Sequence, residues 1–255
     1  MTTLTLPETR PMGARLLSVM KLHFANPWTT ITLPWIILAT IFTANLAIWA
    51  LIFMNTPTSE HADIAAGLQW SGASLYIFVY MMVVAIGAIN VTFPFALGYG
   101  VTRRDYYLGT SLQFVLLAVM YATGLTILAE IEKATNGWGL GGRMFTAAYF
   151  GSDLVWYQQF FVFFALLVFF FFVGAAVAAV FVRWKGTGIT FFFIALGALV
   201  LAALYLLTLT DSWPAVGEFL GNAGWVGTYA WSLVITVISA VAGYLILRKA
   251  TPRNS

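Results

Sequence analysis

The run from Gly98 to Thr110, GYGVTRRDYYLGT, places two guanidinium groups, a carboxylate and two phenols side by side at Arg103, Arg104, Asp105, Tyr106 and Tyr107. Only 8% of the chain is charged, so this cluster stands apart from its apolar surroundings. Its chemistry is docking: a compact mixture of apolar, charged and aromatic side chains is what a short helix needs to seat in a soluble partner's groove. A plainer role uses the same residues. Arginines beside an apolar run fix its orientation in a bilayer, and tyrosines favour the headgroup belt. Composition alone leaves these two readings open.

Other chemistry is sparse. The only histidines, His23 and His61, fall outside the long apolar runs, so two intramembrane histidines are not available within this chain to hold a haem. No intramembrane histidine can activate a serine, and Glu60, His61 and Asp63 lack a strong metal-ligand spacing. There is no Gly-x-x-x-x-Gly-Lys-Ser/Thr loop to cradle ATP phosphates, and no cysteine for a disulfide framework or thiolate site. The apolar runs contain no ionisable residue at depth, whereas proton-coupled carriers and voltage sensors generally need one; Glu130 falls at a run's end. The uncharged Asn45, Asn90, Thr92 and Gln113 are expected to hydrogen-bond between helices, at about 0.6 kcal/mol each, or to touch a substrate. Phenylalanines all round the run from Phe160 to Phe172 indicate lipid and helix packing. Gly174, Ala175, Ala178 and Ala179 permit close approach of a helix that the sequence does not identify.

The elements that position these residues follow from hydropathy. With 255 residues, 61% hydrophobic, 17% aromatic and a mean hydropathy of +0.90, the chain has the composition of a membrane protein. Its net charge of +3 is not gathered into a basic run, which gives no support to nucleic-acid binding. Six segments reach the roughly 20 apolar residues a spanning helix needs: Trp28 to Met54, Ala73 to Leu97, Leu108 to Ala129, Trp156 to Val182, Ile189 to Leu209 and Val226 to Leu247. A cleaved leader is not expected, because the first run starts late and is too long. Ten of the twelve Lys and Arg, among them Arg10, Arg15, Lys21, Arg103, Arg104, Arg183, Lys185, Arg248, Lys249 and Arg253, fall on one face; Lys133 and Arg143 fall on the other. The positive-inside rule makes the first face and both termini cytoplasmic. Of the carboxylates, only Glu8 and Asp105 lie on it. Trp28 and Trp184 mark inner ends, and Trp49, Trp70, Trp138, Trp156, Trp213 and Trp225 outer ends.

The expected fold is a single all-α transmembrane domain: a cytoplasmic tail with an amphipathic interfacial helix over 1–27, a six-helix bundle over 28–247, and a cytoplasmic tail over 248–255. In the interfacial helix Leu16, Leu17, Val19, Met20 and Phe24 share one face, opposite Arg15, Ser18 and Lys21, so that it rests on membrane lipids; Leu22 and His23 fit the pattern less well. A disordered tail is the alternative. Outside, Thr210 to Trp225 holds Pro214 and helically spaced Val216, Phe219 and Leu220, with Gly221 and Gly224 as stops, and predicts a short outer helix. Ile131 to Val155, rich in glycine, reads as a mobile surface connection.

The stretch FPFALGYGVTRRDYYLGT, Phe93 to Thr110, resembles the segment between the second and third spans of bacterial type-2 ABC transporter permeases, where a similar Gly-x-Thr-Arg-Arg-Asp motif precedes aromatics. The whole layout is similar to that family, whose membrane fold is shared with the G-subfamily transporters. The resemblance implies an exporter subunit of the bacterial cytoplasmic membrane that pairs with a second permease, identical or homologous, above two separate ATPase subunits. ATP and Mg are then bound by that partner, and no cofactor by this chain. It implies a coupling helix at Val101, Thr102, Arg103, Arg104, Asp105, Tyr106 and Tyr107, with the charged residues Arg103, Arg104 and Asp105 contacting the ATPase and the two tyrosines packing. The connecting helix maps onto Arg15 to Phe24, including Leu16, Met20 and Lys21. The pathway between the second and fifth spans points to Tyr76, Tyr80, Asn90, Phe93 and Phe192. Rival classes are an ATP-independent transporter or channel, and a membrane sensor or scaffold.

Overall fold

The computed structural model describes residues 11–25, 27–151 and 153–250; Glu8, Arg10 and Arg253 lie outside them. Every regular element among the described residues is helical. In chain order these are α1 (Met12–His23), α2 (Leu33–Met54), α3 (His61–Gly67), α4 (Tyr76–Gly87), α5 (Phe93–Gly98), α6 (Arg103–Ala134), α7 (Trp156–Leu209) and α8 (Trp213–Leu247). Five helical stretches are long and apolar enough to cross a membrane: Trp28–Met54, Thr58–Gly98, α6, α7 and α8.

The count differs from six because two of the apolar segments are joined in α7. At 54 residues and about 1.5 Å per residue it is far longer than the roughly 30 Å hydrocarbon layer. It breaks at Lys185, which adopts φ 56° and ψ −150°. This left-handed region is unfavourable for a side chain. The neighbouring side chains fold back on rings: the Arg183 guanidinium lies 4.5 Å from the Trp184 ring and Lys185 Nζ 5.8 Å from that of Phe181. A second break divides α8 at Gly224, φ 62°, where the absence of a Cβ removes the penalty. A short helix from Trp213 therefore precedes the longer apolar stretch.

Two further irregularities have one cause. Pro34 and Pro94 each follow a single π turn, Trp28–Thr32 and Ala88–Thr92 respectively. Proline has no N–H and its ring displaces the carbonyl one turn earlier, so both helices widen ahead of it. Inside a membrane the displaced carbonyls need other donors, and tyrosines supply them. Tyr80 donates to Thr29 O at 2.8 Å and Tyr121 to Thr30 O at 2.8 Å, while Tyr106 adds a bond of 2.6 Å to Ala88 O, which Phe93 N already serves.

Packing centres on the first half of α7, which meets α4, α6 and α8. Phe114 of α6 stacks on Phe171 with ring centroids 4.8 Å apart. The small residues of α7 receive α4, since a Cβ on Gly174 would stand 2.8 Å from Met82 O. Beyond Lys185 the chain turns its apolar side chains outward; Phe191, Leu199, Leu201 and Tyr205 are exposed. Trp49 is not an outward anchor but is buried, with its ring over Gly142, where a Cβ would approach to 2.4 Å.

Candidate functional site

The Val101–Tyr107 run is the start of α6, not a separate short helix. Gly100, at φ 80°, turns the chain, and Thr102 caps the helix by accepting from Asp105 N at 3.1 Å. Helical geometry then divides the motif. Thr102 and Arg104 are exposed and Val101 and Arg103 half-exposed, while Asp105, Tyr106 and Tyr107 are buried. Asp105 is therefore turned inward, where its Oδ2 lies 3.4 Å from Arg15 Nη1 of α1. Tyr106 packs on Phe93 and His23, with centroids 5.2 and 5.7 Å away. The Tyr107 hydroxyl donates to Ala240 O of α8 at 2.6 Å, and Arg103 Nη1 to Arg248 O at 2.9 Å. One end of the molecule thus joins α1, α6 and the end of α8.

The seam between α1 and α6 is tight. A Cβ on Gly109 would lie 2.7 Å from Val19 Cβ, so only glycine permits this approach. His23 Nε2 lies 2.9 Å from Thr110 Oγ1. Burial lowers the His23 imidazole to about pKa 4, which leaves it neutral at pH 7. Val19 and Met20 are buried and Leu16 is half-buried; Leu17 and Phe24 point outward, and Arg15, Ser18 and Lys21 are exposed. Leu22 and His23, awkward on a two-faced helix, are half-buried here because α1 has three environments: protein, an outward apolar stripe, and solvent.

The pathway residues do not converge within the chain. Tyr76 and Tyr80 are neighbours with centroids 5.6 Å apart, Asn90 is half-buried and its Oδ1 has no partner among the described residues, and Phe93 is fully buried against Tyr106. Phe192, beyond the α7 break, lines a separate apolar cavity of about 580 Å³ with Trp184 and Ile246.

At the opposite end of α6, sequence reading overlooked Glu132. It is 1% exposed and accepts from five groups: Trp138 Nε1 (2.9 Å), Met144 N (2.9 Å), Phe145 N (3.1 Å), Thr146 N (2.8 Å) and Thr146 Oγ1 (2.6 Å). The loop expected to be an open connection is wrapped around this carboxylate, with Met144, Phe145, Ala147 and Phe150 buried. Its glycines allow it: Gly137, Gly139 and Gly141 all have positive φ. Beside the carboxylate, Lys133 Nζ bonds Glu130 Oε1 at 2.6 Å and Leu154 O at 2.7 Å. Tyr149 donates to Ser71 O, and burial raises its phenol pKa. The described residues contain no cluster of His, Asp and Glu able to hold a metal ion.

Comparison of the chain with protein-family models, with curated proteins and with solved structures finds no match.

Proposed function

We propose that this chain is the membrane subunit of an ATP-driven exporter, paired with a second permease and powered by separate ATPase subunits. In this reading it crosses the cytoplasmic membrane of a bacterium six times, with α7 supplying two crossings either side of Lys185 and the Trp213 helix lying at the outer surface. The observation that carries the reading is the joint between α1 and α6. Asp105 and Arg15 tie a surface helix to the base of a 32-residue helix while Arg104 stays exposed beside them. A push on Arg104 reaches α1 and α6 together, and α6 extends about 48 Å to the Glu132 loop.

The roles within the motif divide accordingly. Thr102 and Arg104, with Arg103 and Val101 at the margin, meet the ATPase. Asp105, Tyr106 and Tyr107 hold the base of α6 to α1, to the π turn before Pro94, and to α8. ATP closes the partner subunits, and their differential contact with the inward- and outward-open arrangements shifts the balance between them. The outward apolar surface beyond Lys185 meets lipid or the second protomer. An uncharged, aromatic membrane interior fits apolar or amphipathic cargo.

Purification of the tagged protein in mild detergent at native expression tests the reading. A stoichiometric ATPase with a phosphate-binding loop is expected, with its hydrolysis uncoupled from transport by Arg104→Glu. A folded chain that purifies without any ATPase would point instead to a sensor or an ATP-independent transporter.

A further inference from the structure

A second cavity, of about 450 Å³, lies where α1, the π turn at Trp28–Thr32, α4 and α6 meet. Its wall is mostly apolar, with Leu22, Val83, Val84, Val91, Phe114 and Leu117, and contains no Asp, Glu, Lys or Arg. The polar groups it does contain are incompletely used. Gln113 is 1% exposed, yet neither its Oε1 nor its Nε2 has a partner among the described residues, and Thr30 Oγ1 is likewise unpartnered. Seven buried side-chain polar atoms are unpartnered among the described residues, and three of them belong to these two residues of one cavity wall. A buried carboxamide without hydrogen bonds is unfavourable, so a missing partner is the economical explanation. At the rim, Val83 and Val91 are 57% and 72% exposed, which makes the mouth apolar.

We propose that this cavity binds an uncharged amphiphile that carries a hydroxyl or amide group and enters laterally from the bilayer. The carboxamide and the Thr30 hydroxyl each both donate and accept, as such a head requires. The valine rim accommodates its apolar body. An ionised head finds no counter-charge in the wall, and its desolvation opposes entry. The site needs the chain to be in a membrane but does not depend on the exporter reading.

The test uses the full-length protein in phosphatidylglycerol nanodiscs, labelled with a monoacylglycerol bearing a photoactivatable group in its chain. Adducts are expected on residues 83–91 and 113–117, displaced by excess monooleoylglycerol and not by oleate. Gln113→Leu is expected to lower this labelling at least tenfold without lowering the melting temperature, because it removes an unpaired polar group. Gly87→Leu provides a second variant: Gly87 lines the cavity and a Cβ there meets nothing within 4 Å, so the side chain fills the space. Labelling that survives both substitutions, or that oleate displaces equally well, overturns the proposal. Mass spectrometry of the purified, unsupplemented protein separates the sources: a retained neutral lipid identifies a bilayer lipid as occupant, and an empty but competent cavity identifies an exchanging solute.

Discussion

Replacing Glu132 by glutamine should open the loop that follows α6. The carboxylate accepts four N–H groups and one hydroxyl, and a carboxamide of the same shape can use only one of its two polar atoms as an acceptor. If the amide nitrogen takes the Oε2 position it faces Trp138 Nε1 and Met144 N, each 2.9 Å away. In the Oε1 position it faces Thr146 N at 2.8 Å, while the Thr146 hydroxyl can rotate to accept. At least one buried N–H is therefore stranded, at about 1–3 kcal/mol, and the remaining bonds lose the charge that makes each of them stronger by about 1 kcal/mol. Relief from burying a charge offsets part of this, leaving about 3 kcal/mol, or roughly 100-fold in the loop-opening equilibrium. Hydrogen exchange by mass spectrometry in nanodiscs reads it directly: the amides of 144–146 should exchange about 100-fold faster, at the factor of ten per 1.36 kcal/mol, with those of 114–122 unchanged. Exchange at 144–146 within threefold of wild type would refute the claim that Glu132 organises the loop.

Gly109→Ala should force α1 away from α6, since the new Cβ collides with Val19; overpacking of about 1–3 kcal/mol should appear as faster exchange over residues 16–23. Tyr121→Phe should lower the melting temperature more than Tyr106→Phe. The first removes the hydroxyl serving Thr30 O four residues ahead of Pro34, which has no N–H to offer, whereas Ala88 O also accepts from Phe93 N. Acid should loosen α1. Because the folded pKa of His23 is lowered, to about 4 from 6.5, stability is complete above 6.5 and falls as pH drops from there toward 4. Between pH 6.5 and 5 the loss is bounded at about 2 kcal/mol, and His23→Gln should abolish this component in thermal melts across that range.

The gross helical layout was legible because membrane helices announce themselves through hydropathy and charge. Lys185 lies in the gap left between the fourth and fifth apolar segments, and Gly224 was marked as a stop before it proved to break α8. The π turn before Pro34 carries no sequence signal of its own, because that proline sits near a helix start, where it is ordinarily harmless. Asp105 was misjudged in direction: the helical phase that leaves Arg104 exposed turns Asp105 inward with Tyr106 and Tyr107, and its partner Arg15 comes from 90 residues upstream. Glu132 was invisible for a similar reason, since four of its five donors come from a loop 12–14 residues downstream. A single sequence shows a charge near a membrane boundary but not the backbone amides that fold around it. The unpartnered carboxamide of Gln113 needed coordinates too: the sequence allowed either a bond between helices or a substrate contact, and among the described residues it has no hydrogen-bond partner.

The central claim is that Arg104 faces an ATPase. The chain contains no cysteine, so Arg104→Cys introduces a unique thiol at an exposed position of the motif. Labelled in cells with a benzophenone maleimide and irradiated, it is predicted to capture a soluble subunit carrying a phosphate-binding loop, with the yield changing when ATP is depleted. A correctly inserted protein whose residue 104 captures no ATPase would contradict the account and leave Arg103 and Arg104 as signals of membrane orientation.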